Sequence, residues 1–202
     1  MASQPSIDFY TLTLPYTETT LPSALHDHLT KLKSDTSIHS IHVGQQLEHP
    51  TRWSLILTRP PSAPGPSPAW TAALDAFIES RFRVTAPAPR GDPLAALDAP
   101  CTEVFTCYDV DDGFLDANMG PFAEGVRRGR PPGFHGLAYA QFEQPAGGYQ
   151  PSGPAVTILL GWDSKEAHLV ERNEGQVVNE YIHHVRTGRK GVDMFHANLT
   201  KL

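Results

Sequence analysis

The sequence has very few cysteines, and this shortage excludes a disulfide-based fold. Only 2 of its 202 residues are cysteine, Cys101 and Cys107. On one extended strand these residues would lie ~20 Å apart at ~3.3 Å per residue, which is too far for a bond between them. Their spacing is also unlike that of a zinc motif. We therefore expect two free thiols packed as small buried hydrophobes.

Long runs of basic or apolar residues are also missing. The net charge is -6, charged residues make up 19% of the chain, and basic residues never occur in a run longer than two. This composition argues against nucleic acid and anionic membranes as partners. No apolar stretch approaches the ~20 residues that span a bilayer, and the first residues do not resemble a signal peptide. The sequence predicts a cytoplasmic protein with no membrane partner.

Proline is abundant, with 19 residues, and it clusters in three stretches that we interpret as joints between elements: 59–68, 86–93 and 143–154. The hydrophobic periodicity between these joints predicts an alternation of strands and helices in the first half. That half reads as strand 7–14, helix 21–34, strands 38–47 and 52–58, helix 69–82 and strand 82–86.

The second half repeats this order. It reads as strand 101–110, a helical segment 111–129 broken or kinked at Pro121, strands 134–142 and 155–162, a helical segment 163–188 interrupted near Gly175, and a closing strand 192–202. The order β-α-β-β-α-β is the ferredoxin-like plan. We predict an α+β protein with two ferredoxin-like halves, 1–97 and 98–202. Their sheets would pack face to face as a (pseudo)dimeric α+β barrel.

The segment GWDSKEAHLVERNEGQ, residues 161–176, joins an apolar strand to a helix. Asp163 or Ser164 can cap this helix, Trp162 can be buried at the corner, and His168 falls where the helix packs on the sheet. We favour a structural corner over a catalytic role for His168.

The closing strand and the second strand of the second half carry polar side chains at alternate positions. We expect the side of each strand that faces the helices to be apolar. The polar side chains on the other side of each strand would then face the barrel interior. His196, His135 and Tyr139 would then be catalytic groups that transfer protons or hold a substrate oxygen. The alternative is that they hydrogen-bond one another inside a filled barrel. The predicted substrate contacts are Asn198, Met194, Trp162, Tyr10 and His42, with the inward orientation of His42 or His39 left open.

Metal binding has little support in the spacing of the histidines. His26 and His28 cannot share one helical face, and neither can the adjacent His183 and His184. We therefore predict neither a metal nor another cofactor.

Three segments resemble proteins of a known family: GWDSKEAH, the final MFHANLTKL and the strand-bearing APCTEVFTCYDVDD. They are similar to fungal proteins of the dimeric α+β barrel superfamily, of the antibiotic-biosynthesis monooxygenase-like and stress-responsive kinds. The resemblance implies a small-molecule-binding barrel that can also form a homodimer. By analogy with barrel relatives, His184 or His196 could ligate haem.

Three functions are compatible with this superfamily, because its fold alone does not specify a reaction. The first is a cofactor-independent monooxygenase, cyclase or isomerase that acts on an apolar or aromatic, secondary-metabolite-like molecule through histidine-mediated proton transfer. The second is a ligand-binding or stress-responsive protein without chemistry. The third is a scaffold formed by dimerisation.

Overall fold

The computed structural model describes residues 5–14, 20–146 and 150–202. The chain divides into two compact units, one formed by Met1–Ala88 with Ala197–Leu202 and the other by Pro89–His196. The predicted boundary after residue 97 lies later than the one between these units. Residues 89–97, which lie between the two boundaries, contribute a short strand and a short helix to the second unit.

The first unit follows the β-α-β-β-α-β order, and its strands form one antiparallel sheet. The predicted helix 69–82 ends early, at Leu74, because the residues from Ser80 onward pair with the first strand. Its elements are β1 (Ser6–Thr13), α1 (Ser23–Thr30) with a 3-10 turn (Lys31–Ser34), β2 (Ser40–Gln45), β3 (Arg52–Arg59), α2 (Pro68–Leu74) and β4 (Ser80–Ala86).

The second unit contains β5 (Arg90–Gly91), α3 (Pro93–Leu97), β6 (Cys101–Val110), a π-helical turn (Leu115–Met119), α4 (Gly120–Gly129), β7 (Phe134–Gln144), β8 (Gly153–Trp162), α5 (Lys165–Glu171), α6 (Val177–Tyr181) with a 3-10 turn (Ile182–Val185), and β9 (Arg189–Ala197). Its sheet has the strand order β5-β7-β8-β6-β9. The strand β10 (Thr200–Lys201) follows and belongs to the sheet of the first unit, whose strand order is β10-β2-β3-β1-β4.

The predicted fold class is confirmed. In each unit the four long strands have the ferredoxin-like order, in which the first strand lies between the third and the fourth. Pro121 does not break the helix. It lies in the first turn of α4, where a missing N–H is tolerated, directly after the π-helical turn. How the two sheets pack together stays a prediction.

The predicted closing strand 192–202 is wrong in one respect, because it is two strands. β9 ends at Ala197, and the chain then joins the first sheet, where Thr200 of β10 pairs with Val43 of β2. A side chain at Gly44 of β2 would collide with the backbone of Asn198 and Leu199, so the glycine permits this close passage.

The core of the second unit lies between its sheet and its helices. A side chain at Gly125 of α4 would collide with the Tyr181 ring, and one at Gly129 would collide with Val177. These two glycines therefore let α6 lie close against α4. Both cysteines are free and buried, as predicted, and burial raises the pKa of Cys107 to about 12. None of the described helices is long and apolar enough to span a bilayer.

Candidate functional site

Three buried titratable side chains meet between the sheet and the helices of the second unit. They are Glu103 of β6, His168 of α5 and His196 of β9, with exposed fractions of 5%, 2% and 0%. The Nδ1 atom of His168 lies 2.8 Å from Nε2 of His196. The Nε2 atom of His168 lies 3.5 Å from Oε2 of Glu103. We call these three residues the Glu-His-His cluster.

The sequence around the strand-helix corner explains why the cluster forms. Ser164 caps α5 by accepting a hydrogen bond from the Ala167 amide at 3.1 Å, and this cap directs the first turn of the helix onto the sheet. Trp162, at the end of β8, is fully buried and donates from Nε1 to Oε2 of Glu103 at 3.0 Å. Its ring also stacks on His168, with 5.3 Å between centroids. Trp162 therefore positions both the carboxylate and the first imidazole.

A pocket of about 230 Å³ opens beside the cluster, inside the second unit. Glu103 and His168 form part of its wall, and three arginines, Arg172, Arg186 and Arg189, contribute positive charge. Glu103 and His168 are buried, whereas Arg172 and Arg186 are exposed and Arg189 is half-buried, so water screens the arginine charges more than the charge of Glu103. The remaining lining residues are apolar: Phe105, Phe122, Val178, Ile182, Val185, Val192 and Met194.

The cluster also has the composition of a metal site. Glu103, His168 and His196 each offer one ligand atom, and these atoms lie within 4.8 Å of one another. Two histidines and a carboxylate suit several transition metals. In the geometry described here, however, His168 uses one ring nitrogen toward His196 and the other toward Glu103. A metal would take only one of these nitrogens, so the geometry favours a hydrogen-bonded relay.

Three of the residues predicted from the sequence lie at this site: His196, Met194 and Trp162. They reach it on the side opposite to the predicted one, because Met194 packs with the core that α4 contributes to. The prediction assumed that helix-facing positions are apolar. That assumption fails at His196, because His168 of α5 packs against this face of the sheet and its imidazole forms a hydrogen bond with the imidazole of His196.

His135 and Tyr139 are not part of the cluster, and their predicted placement beside His196 is wrong. A β-bulge between Phe134 and Gly136 turns His135 outward, where it is exposed and lies 2.7 Å from Oδ1 of Asp163. Tyr139 is buried in the helix-side core of the second unit, under the guanidinium of Arg90.

The other three predicted residues, Tyr10, His42 and Asn198, belong to the first unit. Tyr10 lies in that unit's aliphatic core, and burial raises its pKa to about 12. His42 is fully buried, with Nδ1 3.4 Å from Oγ of Ser40, whereas His39 is exposed. Of these two histidines, only His42 is therefore buried. Asn198 is exposed. None of the three is part of the pocket in the second unit.

His184, which was considered with His196 as a haem ligand, does not line the pocket. Its ring stacks with Tyr181 at 6.4 Å and tilts against His183 at 4.0 Å. Partial burial, followed by the effect of His183, lowers the pKa of His184.

Sequence reasoning missed Glu103 and the three arginines. Glu103 did carry a signal, because it is a lone carboxylate on the face of β6 that otherwise presents Cys101, Phe105 and Cys107 to the core. A buried charge needs partners, and that requirement alone could have marked the position. The arginines lie at unrelated spacings along the chain, so no local pattern marks them.

No protein-family model matches this chain, and no curated protein matches it. Solved structures do share its fold. An anthrone oxidase-like protein superposes with a TM-score of 0.68 at 14% identity, covering 98% of this chain and 92% of the other. Two candidate monooxygenases each give 0.61. The one from Lactobacillus acidophilus has 13% identity, with 98% and 95% of the two chains covered. The one from Fusobacterium nucleatum has 12% identity, with 100% and 95% covered.

At these identities the similarity shows the fold. The chain has the ferredoxin-like repeat fold that its order of strands and helices predicted. The fungal affinity of the sequence motifs stays a prediction.

Proposed function

We propose that the second unit is a cofactor-independent monooxygenase that removes a proton from a small apolar or aromatic molecule. The observation that carries this proposal is a buried carboxylate next to a pair of imidazoles, set in the wall of a mainly apolar pocket. Buried acid-base groups beside an apolar pocket are typical of an active site.

Glu103 is the base in this mechanism, because its carboxylate lines the pocket and Trp162 holds one of its oxygens. It takes a proton from a carbon next to a carbonyl or an aromatic ring. His168 then accepts that proton from Glu103 and hands one to His196 through the 2.8 Å contact. General base catalysis of this kind contributes about 10²–10⁴-fold to a rate.

The carbanion that remains can react with dioxygen without an added reductant. For a CH₂ group between two activating groups, one oxygen atom becomes the new carbonyl oxygen. The other leaves as water with the two hydrogens. The balance is CH₂ + O₂ → C=O + H₂O. Phe105, Phe122 and Met194 give this pocket an apolar wall, which would limit the access of water to the anion.

Two further observations support this proposal. The structures that share the fold include proteins described as anthrone oxidase-like and as candidate monooxygenases. The pocket volume of about 230 Å³ lies below the range of about 300–1,000 Å³ for drug-sized ligands, which favours a substrate of one or two rings.

The test separates proton removal from oxidation. The purified protein is mixed with 2-tetralone, or with the larger anthrone, in D₂O without oxygen, and deuterium uptake at the CH₂ group is followed by NMR. Oxygen consumption is then measured in air. We expect the protein to accelerate both. We expect Glu103→Gln to slow both about 100-fold or more. His135→Asn, a histidine change outside the pocket, serves as the matched control and should leave both rates unchanged.

Each of the other outcomes has a definite meaning. Binding of 2-tetralone without exchange or oxidation would replace the proposal with the non-catalytic ligand-binding function. Exchange without oxygen consumption would indicate an isomerase or a cyclase. Loss of activity in His135→Asn but not in Glu103→Gln would reject the site.

A further inference from the structure

We infer that the molecule bound in this pocket carries a carboxylate, which Arg172, Arg186 and Arg189 hold. This inference rests on the proposed function, because it concerns the substrate of the same pocket. It adds a charge requirement that the cluster alone does not imply.

Three arginine residues line one pocket although they come from different segments, two of them exposed and Arg189 half-buried. Arg172 follows α5, Arg186 follows the 3-10 turn, and Arg189 begins β9. Arg189 is also oriented, because its Nε donates to the carbonyl oxygen of Val185 at 2.6 Å. That bond leaves the outer edge of its guanidinium for a ligand. An arginine that is already positioned loses less entropy when it binds an anion.

None of these three arginines has a carboxylate partner within 4.0 Å among residues 5–14, 20–146 and 150–202. Other arginines of the chain do have such partners, since Arg90 pairs with Asp116 and Arg127 pairs with Glu124. Acidic residues are not scarce nearby, because residues 89–196 contain fifteen Asp and Glu against nine Lys and Arg. The positive charge at this pocket is therefore a local departure from an acidic unit.

The lining of the pocket carries charges of both signs, and we expect these charges to orient a bound ligand. Glu103 repels an anion, whereas the arginines attract one. A carboxylate would therefore lie by the arginines and the apolar body between Phe105 and Phe122, which leaves the reacting carbon for Glu103. We choose a carboxylate over a single anionic oxygen because the guanidinium fork matches its two oxygens.

The test compares 2-naphthoate with 2-naphthamide, which share a ring system and differ in charge. Affinities are measured by calorimetry at low salt and again in 0.5 M NaCl. We expect the naphthoate to bind at least about tenfold more tightly, which corresponds to one or two charge-assisted hydrogen bonds. Added salt should reduce the difference. The triple variant Arg172→Gln, Arg186→Gln, Arg189→Gln should abolish it, while Arg128→Gln on α4, outside the pocket, should not.

The outcomes distinguish this inference from the proposed function. Equal affinity for the two probes, or tighter binding of the amide, overturns the carboxylate inference. So does a preference that survives the triple variant. In each case the proposed function stands if 2-tetralone is still turned over. If none of the three molecules binds, both are overturned, because the pocket is then no ligand site.

Discussion

Each unit buries a carboxylate on the first of its four long strands, but the partners of the two carboxylates differ. In the first unit, Asp8 of β1 accepts from Nε of Arg59 at 2.8 Å and from Thr85 at 2.6 Å, and lies 3.1 Å from Arg83. In the second unit, Glu103 accepts from the indole of Trp162 and lies against an imidazole. Arginine stays charged at any ordinary pH, whereas imidazole gains and loses protons near neutrality.

This difference separates a structural charge from one that can take part in chemistry. Burial by itself would raise the pKa of Asp8, but the hydrogen bonds from Arg59 and Thr85 and the charges of the two arginines outweigh it, so the pKa is lowered. Asp8 is therefore held as an anion and is a poor base. Glu103 has partners that can pass a proton onward. The two units share the ferredoxin-like fold, but the buried carboxylate is a structural charge in the first unit and part of the candidate active site in the second.

Neutralising each carboxylate in turn is the most direct test of whether the two carboxylates have different roles. Asp8→Asn leaves Arg59 buried without its charge partner, so the free energy of unfolding should fall by about 3 kcal/mol, at the low end for buried pairs because Arg83 is 32% exposed. Glu103→Gln keeps an oxygen that can accept from Trp162, so it should cost only about 1 kcal/mol. Denaturant unfolding measures both.

Activity should show the reverse order. Asp8→Asn, assayed well below its melting temperature, should retain the deuterium exchange that Glu103→Gln loses. A larger stability loss from Glu103→Gln than from Asp8→Asn would mean that the second carboxylate is structural as well.

The same pair predicts how stability depends on pH. The folded pKa of Asp8 lies below its unfolded value of about 3.9, so the stability it contributes is complete above that value and is lost as the pH falls through the folded pKa. Below about pH 4 the unfolding free energies of the wild type and of Asp8→Asn should therefore converge. Acid titrations followed by circular dichroism would check this, and a constant difference down to pH 2 would contradict it.

A smaller effect is expected from the second imidazole, which acts through His168 and is therefore a positioning and relay residue. His196→Gln should lower the exchange rate about tenfold, since a hydrogen bond to a charged group is worth about 1.5–3 kcal/mol. The pH at which the rate is half-maximal should shift, while the affinity for 2-tetralone stays the same. An unchanged pH profile would mean that His196 only fills space.

The smallest effect concerns Tyr10, which the sequence suggested as a substrate contact. Its hydroxyl is buried without a hydrogen-bond partner in the described chain. Removing that hydroxyl in Tyr10→Phe should raise the free energy of unfolding by about 1 kcal/mol, because an unsatisfied polar group is no longer buried. Turnover should not change. A loss of stability would show that the hydroxyl has a partner.

Much of the fold could be predicted from the sequence, because strand and helix periodicity and the proline joints are local signals. The interruption near Gly175 and the strand of residues 101–110 both appear in the structure. The outward position of His135 could not be predicted, because the bulge between Phe134 and Gly136 shifts the register at the start of β7 by one residue. That shift separates His135 from the alternation on which its predicted role depended.

Neighbouring residues specify the two ferredoxin-like repeats, the two cysteines outside any disulfide and the corner at residues 161–168, so local patterns were enough to predict them. The meeting of Glu103, His168 and His196 depends instead on how the elements pack. They lie on three elements separated by 65 and 28 positions along the chain, and local patterns carry no information about contacts at that range. The role of each buried carboxylate depends on the side chains that contact it in the folded chain: Arg59 for Asp8 and His168 for Glu103.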